Sequence, residues 1–438
     1  MMEIKAFKAF RFDENVVGNT GDCIAPPYDV IDPAQREQLY GKSPYNIIRI
    51  TKGKTSPSDN DGDNQYTRAA NYLKTWIEKG VLKQDSAETI YAYVQDFRAA
   101  GAAFRRSNFI ALGRLEEFGK VVRPHEETLT GPKIDRLNLQ RATAATFGLV
   151  FMLYEDEKKV ADKIIEKAAS QKPIIDFVDE LDVRHRLFAI TAKADMDAIA
   201  KMMRKKSCII ADGHHRYETG LIYSKEAADN RAVKYQMMAF TNTCDEGLII
   251  LATHRLIGNI ENFDIKKLIS ALEENFEITE YRFDSPQAKT AAKQKMLSQM
   301  KAEYDRDENA FGIYSGGAVF GVAVLKNKKA MDPVAPAMSP AWRSLDVSIL
   351  HKLILEKMLG IDEKKLAGQS NIEYIKDTKN AIDDSIAKVD TGDKQVVFFM
   401  NPAKLHQLKM VTDAGEKMPQ KSTYFYPKVY TGLTINKL

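Results

Sequence analysis

The chain has 438 residues, 44% of them hydrophobic, enough for one large core or about two to three ordinary domains, since single cores stop growing beyond roughly 250–300 residues. Its 64 basic and 60 acidic residues leave a net charge of +4, too small for the electrostatic footprint of a nucleic-acid binder, which favours a small-molecule partner. Three cysteines (Cys23, Cys208, Cys244), odd in number and without a CxxC pair, argue against a disulfide framework and a zinc site and fit a reducing cytoplasm.

The opening MMEIKAFKAFRF has no continuous apolar run, and no later stretch approaches the length of a membrane span, so neither export by a leader nor a membrane is expected. A short strand is expected over Ile4–Phe12, then a rigid loop at Ala25-Pro26-Pro27-Tyr28-Asp29, where two prolines fix φ. Residues 51–65, rich in Gly, Ser, Asp and Asn, read as an exposed loop, and Tyr66–Lys79 as a helix stopped by Gly80. Alternation over 89–115 predicts two strands around a Gly-Ala turn. Residues 121–143 are dense in charge and broken by two prolines, and read as a solvated loop or a polar functional cluster. Further on, a strand at Phe147–Tyr154, a helix at Asp156–Ser170 and strands near Ile174–Phe177 and Leu187–Thr191 are expected.

From 195 the pattern sharpens. Asp195 is expected to cap a helix to about Lys205, Cys208–Ala211 to be a buried strand, and a second helix to start near His214. Strands follow at Tyr235–Phe240 and Leu248–Ala252. The rest reads as a helix and strand over 262–283, a helix over Ser285–Tyr304, and a hairpin over Ala310–Leu325 turning at Gly316-Gly317. A Pro/Ala linker at 332–342, a helix at Leu345–Met358 and a strand at Lys394–Met400 complete it. The expected fold class is α/β (α+β): a mixed sheet carrying a strand-turn-helix phosphate site in residues 1–258, plus a second α/β region in 259–438 whose tail (417–434) returns to the site.

The stretch SCIIADGHHRYETG (207–220) carries most chemistry. A strand ending at Ala211, an Asp-Gly turn and a helix start leave backbone N–H groups unpaired at the strand's carboxyl end, where anions bind. Gly213 lets an anion approach the backbone, Arg216 supplies a planar fork and His214 or His215 can donate. Asp212 could cap the helix, orient a histidine or bind the metal that accompanies a nucleotide. The bland alternative is a capped helix start with a solvated, exposed Arg216 and structural histidines. In the polar stretch after Pro124, Glu126 is the candidate base on chemistry alone, beside His125, Lys133, Asp135 and Arg136. Near the tail, Lys421, Ser422 and Thr423 resemble a Walker A ending without its glycines, so this is not a P-loop. Lys421 could bind a phosphate as a point charge, with Lys428 as the weaker candidate, or both could be surface residues. Tyr28 and Asp29 either line the pocket or form a rigid corner.

ADGHHRY resembles the phosphate-binding turn of the ParB/sulfiredoxin superfamily, which includes free-serine kinases with a closely similar Asp-Gly-His-His-Arg sequence. More widely, APPYDVID, HEETLTGPKIDRL, ADGHHRYETG, THRLI and MPQKSTYFYPKVYTGL, in this order, are similar to the family of proteins of unknown function 1015. The resemblance implies that Asp212, Gly213, His214, His215 and Arg216 hold nucleotide phosphate. It implies a phosphotransferase using Mg²⁺ with ATP or ADP, or pyrophosphate, on free serine or a similar hydroxylated metabolite, in either direction. Catalysis would fall to Glu126, His214 and His215, phosphate binding also to Lys421, and substrate binding to Tyr28, Asp29, His125, Lys133, Arg136, Ser422 and Thr423, with Asp212 as metal ligand. Nothing points to zinc, haem or flavin, and a homo-oligomer is compatible with the reading. The alternative is a ParB-like nucleotide-binding DNA-partition or regulatory protein; its candidate basic run, Arg204–Lys206, reads as the charged end of a helix.

Overall fold

The computed structural model describes residues 1–127 and 130–438, so Thr128 and Leu129 of the HEETLTGPKIDRL stretch lie outside it. The protein is mixed α/β and divides into two compact units, residues 1–249 with 427–438 and residues 250–426. Among the described residues no helix is long and apolar enough to cross a membrane.

The first unit is built on a nine-stranded mixed sheet among the described residues. Its order is 122–123, Cys208–Asp212, Val150–Tyr154, Tyr235–Asn242, Ala102–Arg114, Ile90–Ala99, Arg184–Ile190 and Ile175–Val178, with Ile4–Lys5 paired on Ala102–Arg114. Two pairs are parallel, Cys208–Asp212 with 122–123 and Tyr235–Asn242 with Val150–Tyr154. The central strands read as nearly continuous apolar runs because helices cover them: Ala161, Ile165 and Ala168 of the helix Val160–Ala169, and Ile199, Met202 and Met203 of Lys193–Met203, share a core with Val94, Phe109, Met152 and Phe240. A second core gathers Leu39, Ile48, Leu73 and Trp76 from three N-terminal helices with Leu139, Phe147 and the tail residue Ile435.

Several expectations are corrected. Within 121–143, Thr130–Thr143 is a helix rather than a loop, and Pro132 is tolerated because it falls in the first turn, where N–H groups have no intrahelical acceptor. The single strand expected over Ile4–Phe12 is two short ones, Ile4–Lys5 and Phe10–Phe12. Asp195 is not a cap; the helix begins at Lys193 after Ala192, and Asp195 sits in its first turn, bonded to Lys167 at 2.8 Å. The helix at 65–78 matches its pattern, closed by a capping box between Asn64 and Thr67.

The second unit has a six-stranded antiparallel sheet, in the order Phe276–Arg282, Val319–Leu325, Ala310–Tyr314, Val396–Phe399, Thr253–Ile257 and Ile372–Lys376. The helix Pro286–Asp305, capped by Ser285, packs Ala292, Met296 and Met300 onto it. The Pro/Ala stretch 332–342 is no open linker: it ends in the short helix Pro340–Arg343, whose buried Trp342 donates from Nε1 to the Lys417 carbonyl at 3.1 Å.

The hairpin Ile90–Ala99/Ala102–Arg114 turns through two residues, Ala100 at φ +47° and Gly101 at φ +81°, the geometry that matches strand twist but strains any residue with a Cβ. Ala100→Asn, which tolerates the left-handed region, is expected to stabilise the chain by roughly 0.5–1 kcal/mol in urea unfolding.

Candidate functional site

The strand Cys208–Asp212 pairs antiparallel with Val150–Tyr154, and its register slips between Ile210 and Asp212, which re-aims the last residue. Gly213 follows at φ +89° as the N-cap of the helix His214–Glu226 and provides no side-chain cap. A Cβ there would lie 2.9 Å from Nη2 of Arg216, so glycine is required for both conformation and space. The cap residue itself therefore brings no side chain to the first N–H groups of the helix.

Asp212 does not cap. Its Oδ2 accepts from Arg216 Nη2 at 2.8 Å and its Oδ1 from Lys428 Nζ at 2.9 Å. Burial opposes its ionisation, but Lys428 and Arg216 outweigh burial and hold the carboxyl far below the usual range. Arg216 is not the exposed arginine the sequence suggested: its side chain is 10% exposed, and Nη1 donates to the Leu149 carbonyl. Gly148 makes room for it, since a Cβ there would lie 3.1 Å from Nη1. Lys428 reaches Asp212 because its backbone is gripped from inside the sheet. Gln95 Nε2 donates to the Lys428 carbonyl at 2.9 Å, and the fully buried Arg106 donates to Gln95 and to the Pro427 carbonyl.

Beside this ion triad lies a histidine pair. His214 Nε2 accepts the His125 backbone N–H at 3.2 Å, so its other nitrogen is the one able to donate, and the two rings meet edge to face at 4.8 Å. His125 Nδ1–H donates to the Ile210 carbonyl, the only role a carbonyl partner allows. His215 is partly buried, and burial lowers its pKa against the pull of Asp29, Glu218 and Glu126, with Lys133 adding to the lowering. Those residues, distant in sequence, thus act on one imidazole. Lys133 is held by Glu218 at 3.0 Å, while the guanidinium of Arg136 lies 4.0 Å over the Tyr28 ring and pairs with Asp135. Burial pushes the Tyr28 hydroxyl up to about 12, with Arg136 and Arg216 opposing and Asp29 and Asp135 reinforcing.

Of the expected site residues, Tyr28, Asp29, His125, Glu126, Lys133, Arg136 and 212–216 lie in the first unit, linked in series by pairwise contacts and charge effects. Lys421, Ser422 and Thr423 belong to the second, where the Lys421 carbonyl accepts from Arg255 at 2.9 Å and the Ser422 hydroxyl donates to the Pro419 carbonyl. The lysine on Asp212 is Lys428, which the sequence ranked second to Lys421. Gln95 and Arg106 were missed; the available signal was a charged residue at an inward position of an alternating strand, in AFRRSNFIAL. Among the described residues no group of three or more His, Cys, Asp or Glu could hold a metal ion, and both Asp212 oxygens face protein cations. This donor set does not fit a protein-held metal, and no step below runs through one.

In the first, mixed α/β unit the start of the helix His214–Glu226 thus lies beside a buried carboxylate and two cations. Residues 4–348, more than half of the 438, match the family described as protein of unknown function (DUF1015), and the chain belongs to that family. Comparison with the curated proteins finds no match. Among solved structures the chain is similar to a conserved hypothetical protein from Pyrococcus furiosus, at 14% identity over 70% of this chain and 88% of that one, TM-score 0.32. It is also similar to a free serine kinase in complex with AMP (13% identity, 71% and 88%, TM-score 0.34) and to SbnI with C-terminal truncation from Staphylococcus aureus (9%, 75% and 87%, 0.32).

Asp212→Asn leaves two buried cations without their counter-charge and is expected to destabilise the full chain by about 3 kcal/mol in urea unfolding, more than Lys428→Met, which leaves Asp212 one partner. His125 and His185 are buried, and burial lowers both pKa values below the ordinary 6.5. Between that value and their lowered folded values the unfolded chain binds more protons, so stability is complete above pH 6.5 and is expected to fall as pH drops below it, read as a falling Tm.

Proposed function

We propose that the protein is a phosphotransferase, moving a phosphoryl group between ATP, ADP or pyrophosphate and the hydroxyl of a small metabolite such as free serine, in one direction or the other. The observation that carries the reading is the convergence at one helix start of an uncapped N-terminus, two cations on Asp212, and a neutral imidazole flanked by Asp29, Glu126 and Glu218. Phosphoryl transfer asks the protein for positioning, charge neutralisation and a base rather than covalent participation.

In this reading the N–H groups of the first helical turn face phosphate oxygens, and Arg216 and Lys428 neutralise them. His125 positions His214 through its ring and amide contact. The base is His215, kept neutral at pH 7 by burial, or Glu126 beside it. The acceptor hydroxyl gives its proton to that base, its oxygen bonds to the terminal phosphorus, and the bond from phosphorus to the leaving nucleotide or phosphate breaks. Nothing favours the DNA-partition alternative: Arg204–Lys206 closes the helix Lys193–Met203, and Lys206 is paired with Asp156 at 3.1 Å.

Incubating the full chain with ATP, ADP or pyrophosphate and a panel of hydroxylated amino acids should give a new phosphomonoester signal in phosphorus NMR. Silence across the panel together with no nucleotide binding in calorimetry would overturn the reading. With a substrate in hand, His215→Gln and Glu126→Gln identify the base: the true base lowers kcat about 10²–10⁴-fold with nucleotide affinity retained. If His215 is that base, its lowered pKa keeps it unprotonated down through pH 6.5, so the acid limb of the kcat profile falls below that value and is missing in His215→Gln.

A further inference from the structure

The second unit has a cleft of its own, about 380 Å³ in volume, between the end of the helix Pro286–Asp305, residues 307–309, the helical segment that opens at Asp346 and the helix Leu405–Asp413. Small-molecule sites fall in the range of about 300–1,000 Å³. Ala341, Pro402 and Met410 give the cleft apolar surface. Its acidic lining residues among those described are Asp307, Glu308 and Asp346, its lysines Lys328 and Lys404, and His406 beside them is exposed. These charges do not balance. Lys404 ion-pairs with Asp307 and donates to the Tyr304 carbonyl at 2.6 Å, and Lys328 ion-pairs with Glu308. Asp346 is left over. The Asn309 amide donates to its Oδ1 at 2.6 Å and to the Ser344 carbonyl at 2.9 Å, which uses both N–H groups of that amide. Among the described residues no cation lies within ion-pair distance of Asp346, and its Oδ2 accepts no hydrogen bond. Burial accordingly pushes the Asp346 pKa up to about 7, with Asn309, Lys404 and Lys328 opposing, whereas two cations hold Asp212 far below the usual range.

Two neutral pairs and one unpaired carboxylate leave the cleft short of a single positive charge. A metal ion would need several oxygens at once, and the Asp307 and Glu308 carboxylates are taken by lysines. An alkylammonium needs one carboxylate oxygen for its N–H donors and an apolar wall for its chain. We propose that this cleft binds a small organic primary amine, with the ammonium on Oδ2 of Asp346 and the alkyl part against Ala341, Pro402 and Met410. The proposal does not rest on the phosphotransfer reading, because every residue it uses belongs to the second unit.

The test titrates butylamine into the full chain by calorimetry at pH 7, with butanol and tetramethylammonium as controls, on the parent, Asp346→Asn and His406→Gln. Expected is saturable binding of butylamine with a rise in Tm. Butanol, which lacks the charge, and tetramethylammonium, which lacks the N–H donors, should bind about tenfold more weakly or worse. Asp346→Asn should lose butylamine affinity by the same factor, while His406→Gln should bind as the parent does. A second measurement needs no variant at Asp346. An ammonium on Oδ2 lowers the Asp346 pKa, so the parent gives up the proton it half carries at pH 7, about half a proton per amine bound. That release is read as a binding enthalpy that changes with the ionisation enthalpy of the buffer. The groups facing Asp346 are Asn309, Lys328, Lys404 and Tyr304: the amide does not titrate, each lysine sits on its own carboxylate, and burial moves the Tyr304 hydroxyl further from pH 7. His406, which acts on Asp307, drops out of the proton count in His406→Gln. Butanol binding as well as the amine, amine binding unaffected by Asp346→Asn, no amine binding to the parent, or binding without proton release each overturns the proposal.

Discussion

Asp212 is ionised in a place where burial works against ionisation, and it is stable there only because Arg216 and Lys428 each take one of its oxygens. A buried carboxylate with no partner would face low-dielectric protein at a cost of about several kcal/mol, and each cation removes part of that cost. Much of the local architecture follows from supplying both partners. Arg216 must fold back over the turn, which forbids a Cβ at Gly213 and crowds one at Gly148, and its second Nη must find the Leu149 carbonyl. The bend that makes the helix start available to an anion is therefore the same bend that seats the ion triad.

Lys428 imposes the longer-range condition. It comes from the far end of the chain, and residues 427–438 complete the first unit after the whole second unit has been traversed. The segment is threaded with backbone bonds as well as side chains: Thr431 exchanges bonds with Ala25, Ile435 with Phe10, and Asn436 pairs with Thr146. Arg106, buried and lying 4.8 Å from the Phe151 ring centre, donates to the Pro427 carbonyl; burial lowers its pKa to about 10, which still leaves it charged. Further along, the Tyr430 hydroxyl donates to Asp179, which also binds His185 Nε2 at 3.0 Å. A fixed lysine ammonium is an unusual use of a flexible four-carbon stem, and these grips on its neighbours are what fix it.

Local chemistry was legible in the sequence wherever it was contiguous. The strand, the Asp-Gly turn and the helix at 208–226 follow from a short apolar run, a residue permissive of positive φ and helical spacing, and the structure has all three. The hairpin at 90–114 followed from period-two alternation in the same way. What was not legible depended on pairing across distance. Arg216 at a helix start reads as solvated until Leu149 and Gly148 are known to lie against it. Lys421 and Lys428 are indistinguishable as lysines near tyrosines; only the Gln95 and Arg106 contacts to the backbone at 427–428 separate them. Charge density and Pro132 hid the helix Thr130–Thr143, because a proline three residues into a helix looks, in one dimension, like a proline that breaks one.

Within one turn of helix the protein keeps two titratable groups in opposite states: Asp212 fully ionised by its cations, and His215 neutral by burial in spite of three nearby carboxylates. Such a split is how a single site separates charge binding from proton transfer. The ion triad carries two positive charges against one negative, and the helix start adds roughly half a charge more, while Asp29, Glu126 and Glu218 act on His215 beside it. On the proposed reading a polyphosphate is drawn to that surplus and competes with Asp212 for the same donors. Asp212 then acts as the resident counter-anion, keeping Arg216 and Lys428 aimed when no phosphate is present, and the carboxylates around His215 lie where the acceptor's proton must go.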